Sequence, residues 1–430
     1  MKKILSPLFF CFCYSTFAQS FLKPKIDREA KELETQVIEW RRDIHENPEL
    51  GNQETRTAQL IADHLRILGM DVKENVAVTG VVGLLKGGKP GPVVALRADM
   101  DALPVKERNE LPFKSTKTTI YNGQEVGVMH ACGHDTHVAI LMGVAEILAG
   151  MKDELAGSVK FIFQPAEEGI FEEGIESWGA EQMVEQGVME GVDAIFGLHI
   201  NSQTEVGKIK YRPGPAMAAV DNLKIIVNGR QAHGAYPWSS VDPIVTSSQI
   251  INSLQTIVSR NVNITQNPAI VTIGSIHGGV RQNIIPEKVE MLGTIRTYGE
   301  KQQELVHKRV KAIAEKIGES AGARVEVLIE KIYPATINHP ELTEKMLNTL
   351  KYTVGEESLI HHDPVTGAED FSFFQREVPG LYVFLGGMPK GQDPDQAPAH
   401  HTPDFFIDES SLEIGVRALS HLTVDYLGME

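Results

Sequence analysis

The chain is short of cysteine. Its 430 residues include three, and two of these, Cys11 and Cys13, sit in an apolar N-terminal stretch. The remainder keeps Cys132 alone, and one cysteine makes no internal disulfide. Long hydrophobic runs are missing too: residues 4–14 are mostly apolar but too few to span a bilayer, so no membrane span is expected. Positive charge is scarce, with 41 Lys and Arg against 57 Asp and Glu and a net charge of −16. That balance argues against nucleic-acid binding, which needs a basic stripe. No Gly-x-Ser-x-Gly elbow occurs, which disfavours a serine hydrolase. Neither a Walker loop nor a Gly-x-Gly-x-x-Gly fingerprint follows a strand-like run, which removes the common nucleotide-binding classes.

What is present suits a sizeable α/β protein. Hydrophobic residues make up 42% of the chain, ordinary for a globular fold, and the length suits two to three domains or one core with an insertion. Lys2 and Lys3, the apolar run, and Thr16-Phe17-Ala18 before Gln19 have the pattern of a signal peptide over residues 1–18. Export to a periplasm or the exterior is therefore expected. The bland reading is a slightly apolar cytosolic N-terminus.

Residues 26–46 follow a helical apolar pattern. Short, nearly unbroken apolar runs at 93–96, 159–163, 194–199 and 381–385 read as strands buried on both faces. Helical patterns at 138–149, 180–185, 342–350 and 412–427 alternate with them, which predicts a helix-covered α/β sheet. Between them lies a β-α-β-β-α-β order: strands at 222–227, 269–276, 288–296 and 324–329, helices at 243–259 and 302–320. We expect a catalytic domain split into residues 26–214 and 333–430, with an inserted domain at 215–332. Residues 169–179 are rich in Gly and Glu and read as a surface loop.

Chemistry-bearing residues gather at the predicted strand ends. His130-Ala131-Cys132-Gly133-His134-Asp135-Thr136-His137 places a thiol and an imidazole two residues apart around a glycine, just before a helix. A buried free cysteine beside surface histidines is the alternative. Gln164-Pro165-Ala166-Glu167-Glu168 ends another strand with adjacent carboxylates, able to divide metal binding and proton transfer or simply to form an acidic turn. His199, His400-His401 and Asp99-Met100-Asp101 follow further apolar runs. Singly, each is weak. Together they supply the thiolate, imidazole and carboxylate donors that borderline divalent metals prefer, where open α/β sheets keep their sites.

In these motifs, and in Gly229–Pro237, Asn283–Arg296 and Gly367–Phe374, the chain resembles the M20 metallopeptidases over roughly residues 30–428. It is most similar to the amidohydrolase branch: hippurate, N-acyl-amino-acid and auxin-conjugate hydrolases. The resemblance implies a zinc-peptidase-like mixed-sheet α/β core with an inserted ferredoxin-like α+β lid. It implies two divalent ions, Zn²⁺ or Mn²⁺ with Co²⁺ or Ni²⁺ as options, bridged by Cys132. His134 and His199 would complete one site, Glu168 and His401 the other. Glu167 would be the general base and Asp99 an orienter of a ligand imidazole. His233 would stabilise the oxyanion, and Asn283 and Arg296 would hold the substrate carboxylate. Alternatively His233 caps a loop and Arg296 makes a structural ion pair. The substrate would be a small N-acyl amino acid and the assembly a homodimer through the lid. Two departures stand out: a longer, more acidic run from Gly169 to Met183, and Gln231-Ala232 before His233 where many members have glycine. Rival readings are a dipeptidase or aminobenzoyl-glutamate-type hydrolase, a thiol enzyme pairing Cys132 with His134, and a non-catalytic metal- or peptide-binding protein.

Overall fold

The computed structural model describes residues 21–169 and 177–429. The signal-like segment 1–18 and the acidic stretch 170–176 lie outside the described residues. The described residues divide into two compact units: 21–169, 177–211, 341–361 and 378–429 form one, and 212–340 with 362–377 form the other.

The first unit opens with α1 (Leu22–Glu46) and α2 (Thr55–Ile67), then strands β1 (Asp71–Val76), β2 (Gly80–Lys86) and β3 (Lys89–Asp99). Helix α3 (His134–Ala149) and strands β4 (Ala156–Gln164), β5 (Ala194–Glu205) and β6 (Ile209–Tyr211) follow. The second unit carries β7 (Ala219–Asn228), α4 (Pro243–Arg260), β8 (Ile270–Gly278), β9 (Lys288–Thr297), α5 (Glu300–Ala321) and β10 (Arg324–Tyr333). Then come α6 (Pro340–Val354), β11 (Leu359–His361), β12 (Gly380–Met388) and α7 (Ser411–Leu427).

The first unit is built on one mixed sheet in the order β1-β2-β4-β3-β5-β12-β6-β11. Its centre, β4-β3-β5-β12, is parallel, and β1, β2 and β6 pair antiparallel with their inner neighbours. Parallel strands covered by helices have no wet face, which is why β12 is buried at every position and reads as an unbroken apolar run. Helices α3 and α7 pack on the central strands, and α1 lies against both. In α1 the buried Leu22, Ile26, Ala30, Val37 and Ile44 recur at helical spacing, so one stripe faces the core, and Arg41 and His45 are buried with it.

Helix α3 is unusual because its first turn is polar yet buried: His134, Asp135, Thr136 and His137 are all inside. Burial of such groups requires partners. Arg41 Nε, from α1, donates to Asp135 Oδ2 at 2.7 Å, and His45 Nδ1 lies 2.9 Å from the same oxygen. Burial opposes ionisation of Asp135, but Arg41 and His45 outweigh it and hold this carboxyl well below the usual range. The helix starts on Gly133, whose φ of +96° lies in the left-handed region and whose added Cβ would sit 2.3 Å from Ile200 Cγ2.

The second unit contains a four-stranded antiparallel sheet in the order β8-β9-β7-β10. With α4 and α5 it forms the β-α-β-β-α-β arrangement. Ile250, Leu254 and Ile257 of α4 and Val306, Val310 and Ala314 of α5 share a core with Leu223, Ile225, Val227, Met291 and Ile295 of the sheet. Alternation along β7, where Leu223, Ile225 and Val227 are buried and Lys224 and Ile226 are not, marks the side the helices cover.

Candidate metal centre

The parallel strands of the first unit deliver their polar residues to one place. Asp99 ends β3, and Asp101 follows it. Gln164 ends β4, and the chain turns through Ala166 at φ +51° into Glu167 and Glu168. Strand β5 runs to Glu205, six residues past the apolar stretch, and its pairing with β3 stops at Gly197, so His199 lies just beyond that ladder. His400 and His401 come from the segment after β12. Cys132 and His134 sit at the N-terminus of α3.

Cys132 Sγ is the hub. It lies 3.4 Å from His199 Nε2 and 3.3 Å from His401 Nε2. His401 Nε2 is 2.9 Å from Glu168 Oε1, and His134 Nε2 is 3.9 Å from the same oxygen. Donor atoms of Cys132, Glu168 and His401 lie within 4.8 Å of one another, as do those of His134, Glu167 and Glu168. Thiol, imidazole and carboxylate donors at such spacing fit borderline divalent cations.

The outer hydrogen bonds select which nitrogens are available. His199 Nδ1 donates to Ile200 O at 2.5 Å, leaving the Nε2 lone pair toward Cys132. His134 Nδ1 is held by Asp101 Oδ1 at 3.2 Å, while its buried Nε2 has no hydrogen-bond partner. Both are the tautomers that metal-binding histidines adopt. His137 differs: its Nδ1 meets Asp99 Oδ1 at 2.5 Å and its Nε2 accepts the Ile200 N–H at 2.8 Å, so both nitrogens are committed. His400 Nε2 accepts from Ser202 N–H at 3.2 Å, while its Nδ1 lies 3.2 Å from Cys132 O and 3.6 Å from Cys132 Sγ, so His400 also borders the thiol.

Electrostatics point the same way. Burial, then Glu168 and Glu167, push the Cys132 thiol well above its ordinary pKa, so a thiolate here requires a cation beside it. Burial works against charge on His134, but Asp99, Asp101 and Glu168 outweigh it and lift its pKa to about 10. Such a concentration of negative charge is a cation site. Burial, with His137 and His400, drives His199 well below the usual range and keeps it a neutral donor.

Asp99 and Asp101 share the imidazoles: Asp99 Oδ1 lies 2.5 Å from His137 Nδ1, its Oδ2 receives Arg97 Nη1 at 2.6 Å and is 3.7 Å from His134 Nε2, and the hydrogen bond to His134 Nδ1 is made by Asp101. Two residues apart on an extended chain, both carboxylates point to the same side, so the sequence does not separate them. Asp101 also accepts the Glu168 N–H through Oδ2 at 2.8 Å.

In the second unit, the two-stranded ladder Ala232–His233 with Ile284–Ile285 sets His233 beside Asn283, and Gly234 N–H donates to Asn283 O at 2.8 Å. His233 is exposed, and its Nδ1 accepts Ala235 N–H at 3.0 Å, which puts the proton on Nε2. Arg296 sits on β9 opposite Val220 and Ile270, in the other sheet. Burial lowers its pKa while Asp221 opposes this. The Asp221 carboxylate is engaged by His307 at 2.6 Å and Gln303 at 2.8 Å.

Residues 95–425 match the family model described as peptidase family M20/M25/M40. The chain is 42% identical over 407 residues to thermostable carboxypeptidase 2 of Saccharolobus solfataricus, covering 94% of this chain and 99% of the relative. It is 36% identical to an N-acetylcysteine deacetylase of Bacillus subtilis, covering 92% and 97%. A crystal structure of the Bacillus subtilis YXEP protein, described as a dinuclear metal binding peptidase of the M20 family, superposes with a TM-score of 0.77 at 34% identity, covering 92% and 99%. The chain belongs to the M20/M25/M40 family of peptidases.

Proposed function

We propose that the chain is a metal-dependent amidohydrolase that cleaves N-acyl amino acids, or similar small amides, into a carboxylate and an amino acid. The observation that carries this reading is the Cys132 thiol between His199, His401 and Glu168, with Glu167 and His134 alongside. Deacetylase and amidohydrolase relatives support the same chemistry. We assign Cys132, His134, His199, Glu168 and His401 as the residues that would hold two divalent cations. Zinc or manganese fits this set, with cobalt or nickel as alternatives. When bound, two such cations polarise the scissile carbonyl and lower the pKa of a water molecule. Glu167, buried within the cluster, takes the proton of the attacking water and returns it to the leaving nitrogen. Asp101 holds His134 in the tautomer that presents Nε2.

His233, with its proton on Nε2, is suited to donate to a developing oxyanion. Asn283 beside it, and Arg296, are assigned to the substrate carboxylate, which suits a guanidinium. A homodimer through the inserted unit is supported by its exposed Tyr236, Trp238, Ile244, Ile276 and Val280. Export is supported by Lys2, Lys3 and the apolar run after them. Among the described residues no helix is long and apolar enough to cross a membrane.

A carboxypeptidase is the second reading, favoured by the 42% identical relative. A panel of N-acetyl, N-benzoyl and indole-acetyl amino acids assayed beside unblocked dipeptides and N-blocked peptides separates the two. Preference for simple acyl groups supports the first reading; preference for peptides overturns it.

A further inference from the structure

Glu54 is a carboxyl group that the chemistry above does not use. It closes the turn before α2 and is fully buried. Ala166 N–H donates to its Oε1 at 2.9 Å, and Thr79 Oγ1 lies 2.5 Å from its Oε2. The first bond falls at a strained point, because Ala166 has φ +51° and carries a Cβ. Next in the chain is Glu167. On its far side, the Glu168 N–H is held by Asp101 Oδ2 at 2.8 Å. The N–H groups of Ala166 and Glu168, the residues before and after Glu167, are therefore each bound by a carboxyl group from elsewhere in the fold. The turn carrying Glu54 also fits closely against this loop: a Cβ on Gly51 would lie 2.3 Å from Gly169 O and 3.1 Å from Ala166 Cα.

We propose that Glu54 is a positioning residue, which together with Asp101 clamps the backbone on both sides of Glu167 and fixes the direction of its carboxylate. The proposal rests on the assignment of Glu167 as the base. Burial, reinforced by the negative charge of Asp101, raises the Glu54 pKa to about 8. Ala166 N–H and the Thr79 hydroxyl both donate to this carboxyl group. A glutamine of the same shape keeps a carbonyl oxygen for Ala166 and turns an N–H toward Thr79, whose hydroxyl can accept it. An aspartate is one methylene too short to reach, and a leucine fills the space without either bond.

The test compares Glu54→Gln, Glu54→Asp and Glu54→Leu in metal-loaded enzyme, reading kcat, KM, metal content and crystal structures. Glu54→Gln is expected within about threefold of wild type in kcat. Glu54→Asp and Glu54→Leu should lose about 10–100-fold in kcat with KM and metal content nearly unchanged, as a sub-ångström misdirection of the base does. In their structures Ala166 should leave the left-handed region and the Glu167 carboxylate should shift. If Glu54→Leu fails to fold, Glu54→Asp decides. Wild-type kcat in Glu54→Asp, an unmoved Ala166 in either variant, or a Glu54→Gln as impaired as Glu54→Leu overturns the clamp. An inactive wild-type enzyme would overturn the assignment of Glu167, and the crystal structures would still decide the clamp.

Discussion

The two compact units hold their functional residues in opposite ways. In the first, Cys132, His134, Glu167 and His199 are buried or nearly so while His401 is exposed, and the outer nitrogens of His134 and His199 are tied to carboxylate and backbone groups. In the second, His233 lies exposed on a two-residue ladder, and Arg296 stands on a separate sheet. The contrast fits two tasks. A metal centre needs donors fixed in distance and tautomer, which burial and a surrounding hydrogen-bond shell provide. Recognition of a small organic acid needs groups that water can reach before the substrate displaces it.

If that division holds, substitutions in the first unit should remove turnover for every substrate, and those in the second should act on particular ones. The largest loss is expected for Glu167→Ala: kcat should fall by about 10²–10⁴ while bound metal, measured by mass spectrometry, stays the same. Normal turnover would remove it from the mechanism. His233→Ala should lower kcat by about 10²–10³ with metal content intact, as loss of an oxyanion donor does; a purely thermal effect would leave His233 as a loop cap. Asp101→Asn should cost about 10–100-fold in metal affinity by calorimetry, because it disturbs the His134 tautomer, whereas Asp99→Asn should act through His137 and Arg97 instead. Equal effects from the two would erase the distinction drawn between them. Arg296→Ala is expected to raise KM for acyl amino acids by about tenfold, roughly one hydrogen-bonded ion contact, and to leave neutral amides untouched. A uniform rise across both would assign Arg296 to the fold.

Much of this was readable before any coordinates. The parallel strands announce themselves as apolar runs because both their faces are covered, and the polar residues just beyond them mark the open end of the sheet. The helices of the second unit carry apolar stripes, such as Val306, Val310 and Ala314, that show in the sequence at helical spacing. Other features left no local signal. His400 and His401 are adjacent, and partners distant in sequence set them apart: Ser202 N–H on His400 Nε2 and Glu168 beside His401 Nε2. Asp99 and Asp101 share one side of an extended chain. Glu54 resembles any charged residue before a helix until the fold brings Ala166, 112 residues later, to its carboxyl group. Each of these depends on a partner distant in sequence, which a single chain does not display.

The account stands most directly on the metal requirement of turnover. The purified chain would be stripped with a chelator, then titrated with Mn²⁺ or Zn²⁺ while hydrolysis of an N-acyl amino acid and bound ions per chain are followed together. The stripped enzyme should be inactive, and activity should return as the chain takes up two ions. Full activity after complete chelation would contradict the assignment of Cys132, His134, Glu168, His199 and His401 as a catalytic metal centre.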